Sequence, residues 1–270
     1  MLSEQAVRME PSALKHYHME EFNPKLFHGS FFSPSSDETI LEELFRFPIK
    51  KLHQILKSGE IKGDTLIDFS AGPVIFQLLS VCEYFKEITV LEFNDKCIQD
   101  LQKWIKKEKD AYDWSHASKI VTELEGKSDK WKQKEEALRS RIKQILKCDF
   151  TKQNPTDPVV LPKADCAISL YMMNFVCKDL DSYRDYLKKV SSMLKVGGHL
   201  LIFGGFDARF YTVGNHKFHK LSFDEKFLRK ALGETGFSIK HFDAIESQVR
   251  NEFVYYGHVW FVSALKTREI

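Results

Sequence analysis

The feature that most constrains this chain is a recurring exchange between short apolar runs and stretches with helical spacing. "DTLIDF" (64–69), after the turn at Gly63, reads as a buried strand. "SAGPVIFQLLSVCEYF" (70–85) spaces its apolar residues for a helix, and "EITVLEF" (87–93) is a second buried strand. Ile98, Leu101, Trp104 and Ile105 recur on one helix face behind it. "ADCAISLYMM" (164–173) and "HLLIFGG" (199–205) are further strands, and "FSIKHF" (237–242) and "EFVYYGHVWFVSAL" (252–265) close the chain. Between them Tyr183, Tyr186, Leu187, Val190 and Leu194 mark an amphipathic helix that Gly197 and Gly198 are expected to stop, and another helix is expected around 227–232. This alternation predicts an α/β fold with a doubly wound mixed sheet, in which ligands bind beyond the carboxyl ends of the strands.

Two segments stand outside the alternation. The first 45 residues include "EEFNPKLFHGSFFSPSSDET", where Pro24, Gly29 and Pro34 prevent one continuous helix, so they read as an arm; a helix is expected from about Asp37 to Ser58. The stretch 111–147 is a charged insertion, and its last 21 residues hold eight basic and three acidic side chains. A solvated helix face is the expectation there, ahead of a phosphate-binding surface. The whole, 1–270, reads as one domain with a lid (1–45) and a cap (111–147).

The charge balance excludes several partners. Forty Lys and Arg against thirty-eight Asp and Glu give +2, which advertises neither nucleic acid nor a membrane surface. No apolar run approaches a membrane span, and Met-Leu-Ser-Glu-Gln does not start a secretory signal, so a cytoplasmic protein is expected. The five cysteines form no CxxC and read as reduced thiols. His216 and His219 lack a carboxylate or thiol at ligand spacing, so a surface loop is expected there and no metal.

The functional signal is the turn Ser70-Ala71-Gly72-Pro73 with Glu92 twenty residues beyond Gly72. Small residues let a ligand approach the backbone, and an acid ending the next strand can accept both hydroxyls of a ribose. GxGxxG is absent, which disfavours a dinucleotide and suits S-adenosylmethionine, a nucleoside without phosphates.

On "DTLIDFSAGPVIFQLLSVCEYFKEI", "LQKWIKKEKDAYDWS", "ILKCDFT", "LKVGGHLLIF" and "FNPKLF", the chain resembles the nicotinamide, indolethylamine and phenylethanolamine N-methyltransferases. The resemblance spans about residues 15–265. It implies a class I methyltransferase fold, S-adenosylmethionine as donor, a small amine or pyridine-type nitrogen as acceptor, and a monomer. It also implies that Glu92 holds the ribose, that Asp149 and the Phe150 backbone hold the adenine, and that Ser70, Ala71 and Gly72 face the methionine part. Phe27, Phe32 and Phe76 stand where the family has tyrosine hydroxyls for the methionine carboxylate. Ser70, Cys97 and Leu170 replace the family's Gly, Asn and Thr, and the acceptor-side acids correspond to Asn174 and Gly204. Tyr211 is retained in a loop over the acceptor, and Lys220 replaces a small polar residue.

Two readings follow. In one, methyl transfer persists, because an in-line attack needs positioning and desolvation rather than a protein nucleophile, and aromatic faces stabilise the moving positive charge. In the other, the chain is an inactive homologue with a degraded donor site, serving as an apolar-ligand or protein-interaction module. Two or three lost donor hydrogen bonds, left uncompensated, amount to roughly 3–9 kcal/mol.

Overall fold

A computed structural model describes residues 21–270 of the chain. The first half of the expected lid, including His16 and His18, lies outside the described residues. The elements begin with α1 (Pro24–Phe31), α2 (Glu38–Leu41), a π-helical segment Glu42–Arg46, and α3 (Phe47–Lys57). Next come β1 (Thr65–Asp68), α4 (Phe76–Val81), β2 (Glu87–Glu92), α5 (Asp95–Lys106), α6 (Ser115–Leu124), a short 3-10 turn, α7 (Trp131–Arg141) and β3 (Ile142–Lys147). Then follow β4 (Ala164–Leu170), α8 (Met172–Val176), α9 (Leu180–Ser192), β5 (Leu194–Phe206), β6 (Phe210–Val213) and β7 (His216–His219). The last are α10 (Glu225–Glu234), β8 (Phe237–Glu246), β9 (Val254–Tyr255) and β10 (His258–Lys266).

Seven strands form one sheet in the order β3-β2-β1-β4-β5-β10-β8. The first five are mutually parallel, and β10 runs antiparallel to both β5 and β8. The expected mixed, doubly wound sheet is therefore present. Strand order reverses between β1 and β4, and the crevice beyond their carboxyl ends is the place for a ligand. A separate antiparallel sheet, β7-β6-β9, stands beside that crevice.

Local chemistry explains most boundaries. Asn94 caps α5 by accepting from the Lys96 amide at 2.9 Å, and Lys107 ends it in a left-handed conformation. Asp179 and Ser182 form a reciprocal capping box on α9, whose buried Tyr183, Tyr186, Leu187 and Val190 follow the spacing read from the sequence. The helix expected at 37–58 is interrupted by the π-helical segment ahead of Pro48. Proline has no amide hydrogen for the Leu44 carbonyl, and the Tyr171 hydroxyl donates to that carbonyl instead, at 3.3 Å.

Several expectations change. Gly197 and Gly198 do not stop α9, which ends at Ser192; both lie within β5. The final strand divides at Tyr256 and Gly257 into β9 and β10, and β9 joins the small sheet. Residues 127–147 are not one solvated helix face. They form the 3-10 turn and α7, and then β3, the edge strand paired with β2. Ile145 and Leu146 pack on the core there, a contact that helical periodicity could not reveal. The basic residues of α7 are also engaged: Lys134 is buried between Glu83 (2.8 Å) and Glu125 (2.6 Å), and the Arg139 guanidinium lies over the Trp104 ring. His216–His219 is strand β7 rather than a surface loop. Among the described residues, no His, Cys, Asp and Glu side chains cluster at metal-binding distances.

Candidate functional site

The turn after β1 is held by its own side chains. Ser70 Oγ donates to Asp68 Oδ1 at 2.6 Å and accepts from the Leu170 amide at 3.2 Å, which joins the ends of β1 and β4. Gln77 Nε2 donates to the other Asp68 oxygen. Asp68 is 2% exposed, and burial pushes its carboxyl up to about 7 against the pull of Ser70 and Gln77. Sequence reasoning missed Asp68; the only signal was an acid at the end of an otherwise apolar strand.

Gly72 has φ +76°, a conformation that favours glycine. The ring of Phe27 lies over it. Phe27 belongs to α1, whose N-terminus is capped by Asn23 and whose imidazole at His28 contacts the Pro73 carbonyl at 3.1 Å. Phe22, Phe31, Phe32 and Tyr211 pack around the same ring with centroids 5.2–6.4 Å away. Phe32 continues to Phe76, and Phe76 to Trp114, so the three phenylalanines singled out from the sequence belong to one aromatic cluster. A second cluster, Phe69, Phe93, Phe150 and Tyr186, covers the ends of β1 to β3, with Phe150 stacked on Tyr186 at 4.3 Å. Much of the chain's phenylalanine excess (22 Phe against 9 Tyr) is spent on these two groups.

Glu92 ends β2 and is 1% exposed; its Oε1 accepts from the amides of Phe93 (2.7 Å) and Asn94 (2.9 Å). Cys97 is buried one turn into α5. Asp149 follows β3 and accepts from both the amide and hydroxyl of Thr151, while the Phe150 carbonyl accepts from Lys189. Ser70, Gly72, Glu92, Asp149 and Leu170 thus all stand at the carboxyl ends of adjacent parallel strands.

Between the turn and the small sheet lies a cavity of about 20 Å³, lined by Phe27, Phe31, Phe32, Ala71, Leu170 and Tyr211 together with Leu44, Tyr171, Phe175, Val254 and Lys220. Tyr211 sits on β6 rather than in a loop, stacked on Phe175 at 4.3 Å. Burial, with Cys97 and Glu92 nearby, holds its hydroxyl well above the ordinary tyrosine range. Asn174 and Gly204 are not in the lining. The Asn174 amide donates to the carbonyls of Gly205 and Leu221 and accepts from the Gly205 amide, so it ties two segments together. A β-carbon on Gly204 would stand 2.3 Å from the Trp260 ring, so that glycine makes room for tryptophan.

A family model described as the NNMT/PNMT/TEMT family matches residues 10–267. The chain belongs to that family. Indolethylamine N-methyltransferase of Oryctolagus cuniculus is 40% identical over 83% of this chain and 85% of its own length. Nicotinamide N-methyltransferase of Homo sapiens is 38% identical, over 86% and 88% respectively. In three dimensions the fold of this NNMT/PNMT/TEMT family member is similar to that of magnesium protoporphyrin IX methyltransferase from Synechocystis PCC 6803 with bound SAM. The TM-score is 0.56 at 10% identity, covering 90% of both chains. No helix among the described residues is long and apolar enough to cross a membrane.

Proposed function

We propose that this protein is an S-adenosylmethionine-dependent N-methyltransferase acting on a small amine or pyridine-type nitrogen. One observation carries the reading: a buried carboxylate, Glu92, and a β-carbon-free turn at Gly72 end adjacent parallel strands at the topological switch point, in a chain of this family. The residues fit a nucleoside donor. Glu92 would hold the ribose, Asp149 and the Phe150 backbone the adenine, and Ala71 and Gly72 the methionine part. The Ser70 hydroxyl is committed to Asp68 and Leu170, so its share is to shape the turn. A ligand brought to Gly72 has to displace the Phe27 ring, which makes α1 the moving part of the site.

S-adenosylmethionine, when bound, supplies a sulfonium methyl group open to attack by a neutral nitrogen. The chain's own share is positional. Phe27, Phe31, Phe32, Phe175 and Tyr211 exclude water and present ring faces to developing positive charge. All five cysteines are buried and none forms a disulfide among the described residues, which supports a cytoplasmic, reducing setting, and the near-neutral charge supports a small-molecule acceptor rather than nucleic acid. The resemblance supports a monomer.

Thermal unfolding with and without S-adenosylmethionine tests the reading. A donor at 100 times its Kd stabilises by about 2.7 kcal/mol, a midpoint shift of roughly 5–10 °C in a chain of this size. Labelled-methyl transfer to a panel of amines and pyridines follows. No saturable shift at millimolar donor overturns the proposal and favours the apolar-binding alternative.

A further inference from the structure

Among the described residues, Lys220 is the one cationic side chain in the cavity lining, and it is 3% exposed. Its backbone is fixed from both sides: the Lys220 amide donates to the Arg209 carbonyl at 2.9 Å, and the Leu221 amide donates to the Asn174 carbonyl at 2.7 Å. Nζ has no hydrogen bond or ion pair among the described residues. It faces the rings of Phe175 at 5.3 Å and Tyr256 at 5.0 Å. Of the buried carboxylates near this cavity, Glu43 is taken by Ser247 Oγ and the Gln248 amide, and Glu92, on the Tyr211 side, accepts from the Phe93 and Asn94 amides. Tyr211, stacked on the same Phe175 ring, has a buried hydroxyl with no hydrogen-bond partner among the described residues. Lys220 and Tyr211 therefore offer free donors in a lining whose other hydroxyl, that of Tyr171, is committed to the Leu44 carbonyl, and among the described residues that lining holds no carboxylate.

A buried cation without a counter-charge is costly, and an acceptor carrying an ammonium group would add to that cost. An acceptor carrying a carboxylate removes it, gaining charge-assisted bonds from a lysine and a tyrosine. Methylation of a pyridine nitrogen also leaves a cation, which the acceptor's own carboxylate balances. We propose that Lys220, with Tyr211, makes this cavity, once enlarged by displacement of the Phe27 ring that lines it, a subsite for a flat aromatic acceptor bearing a carboxylate, in preference to amine or amide counterparts. The inference rests on the methyl-transfer reading and names its substrate class. Burial alone draws the lysine ammonium down to about 7, which is consistent with a group whose counter-ion arrives with the ligand.

The test is titration calorimetry of the intact protein with two matched pairs, pyridine-3-carboxylate against pyridine-3-carboxamide and indole-3-acetate against indole-3-acetamide. Each pair is measured with and without S-adenosylhomocysteine. At least one carboxylate is expected to bind about tenfold or more tighter than its amide. Lys220→Met abolishes that preference and Lys220→Arg keeps it. Equal affinities, a preference for the amides, or no binding by either carboxylate in the wild type overturns the proposal without recourse to a variant. So does a preference that survives Lys220→Met. Binding of S-adenosylhomocysteine with no carboxylate preference sinks this inference alone. A carboxylate preference without binding of S-adenosylhomocysteine sinks the methyl-transfer reading and leaves Lys220 as an anion-recognition point.

Discussion

The Phe27 ring lies against Gly72 so closely that its Cε1 stands 2.8 Å from the point where a β-carbon would be. The contact joins the lid helix α1 to the turn after β1. Gly72→Ala adds both the strain of φ +76° and a clash with Phe27, and should destabilise by roughly 1–3 kcal/mol. Phe27→Ala removes the clash but not the strain. In urea unfolding, the double variant should cost about 0.5 kcal/mol or more less than the two single costs added together. Strict additivity would mean that the ring and the glycine do not meet.

His28 anchors the same helix. Burial draws its imidazole down to about 4 despite the opposing pull of the Pro73 carbonyl, so it is neutral and its 3.7 Å approach to Asp100 is not an ion pair. Below its ordinary value of 6.5, the unfolded chain takes up a proton that the folded chain refuses. Stability therefore falls as pH drops from 6.5 towards 4. His28→Gln should remove up to roughly 3 kcal/mol of that fall. Unfolding free energies measured across the window settle the matter, and an unchanged slope would mean that His28 titrates normally.

Asp68 acts in the opposite direction. Its folded-state value is raised from 3.8 to about 7, so in that window the folded chain holds a proton that the unfolded chain has lost. Stability falls as pH rises through the window. Asp68→Asn keeps a group that can accept from Ser70 while abolishing the buried charge, and should stabilise by roughly 2–4 kcal/mol at about pH 8, with little effect near pH 4. A variant less stable than wild type at about pH 8 would show that the carboxylate is better solvated than its burial implies.

Glu92→Ala removes the carboxylate assigned to the ribose. Affinity for S-adenosylmethionine, measured by titration calorimetry, should fall about tenfold or more, since hydrogen bonds to a charged group are worth roughly 1.5–3 kcal/mol each. Glu92→Gln, which still has an oxygen for the Phe93 and Asn94 amides, separates loss of the donor from loss of the turn. Unchanged affinity in both variants would remove Glu92 from the site.

The strand-end placement of the residues proposed for the donor side was legible in the sequence. Ser70, Gly72, Glu92, Asp149 and Leu170 sit at strand ends because parallel strands alternating with helices leave their carboxyl ends on one edge. The surroundings of the residues proposed for the acceptor side were less legible. Asn174 and Gly204 looked like site positions by their place after β4 and on β5, yet one is consumed by backbone groups of Gly205 and Leu221 and the other makes room for Trp260. Neither partnership has a local signature, because the partners lie 31 to 56 residues away in the chain. β3 was hidden for a similar reason: its pairing with β2 overrode a charged segment with helical character.

The sequence by itself determined the alternation of most strands and helices and the turn with its following acid. These depend on periodicity and on contacts only a few residues apart. Tertiary structure alone decided that Phe27 covers Gly72, that residues of β6 and β9 wall one side of the cavity, and that Lys220 lines it with no counter-charge among the described residues. Those facts depend on which distant side chains exclude water from a given group. Burial of that kind is set by the packing of the whole chain, and no local pattern encodes it.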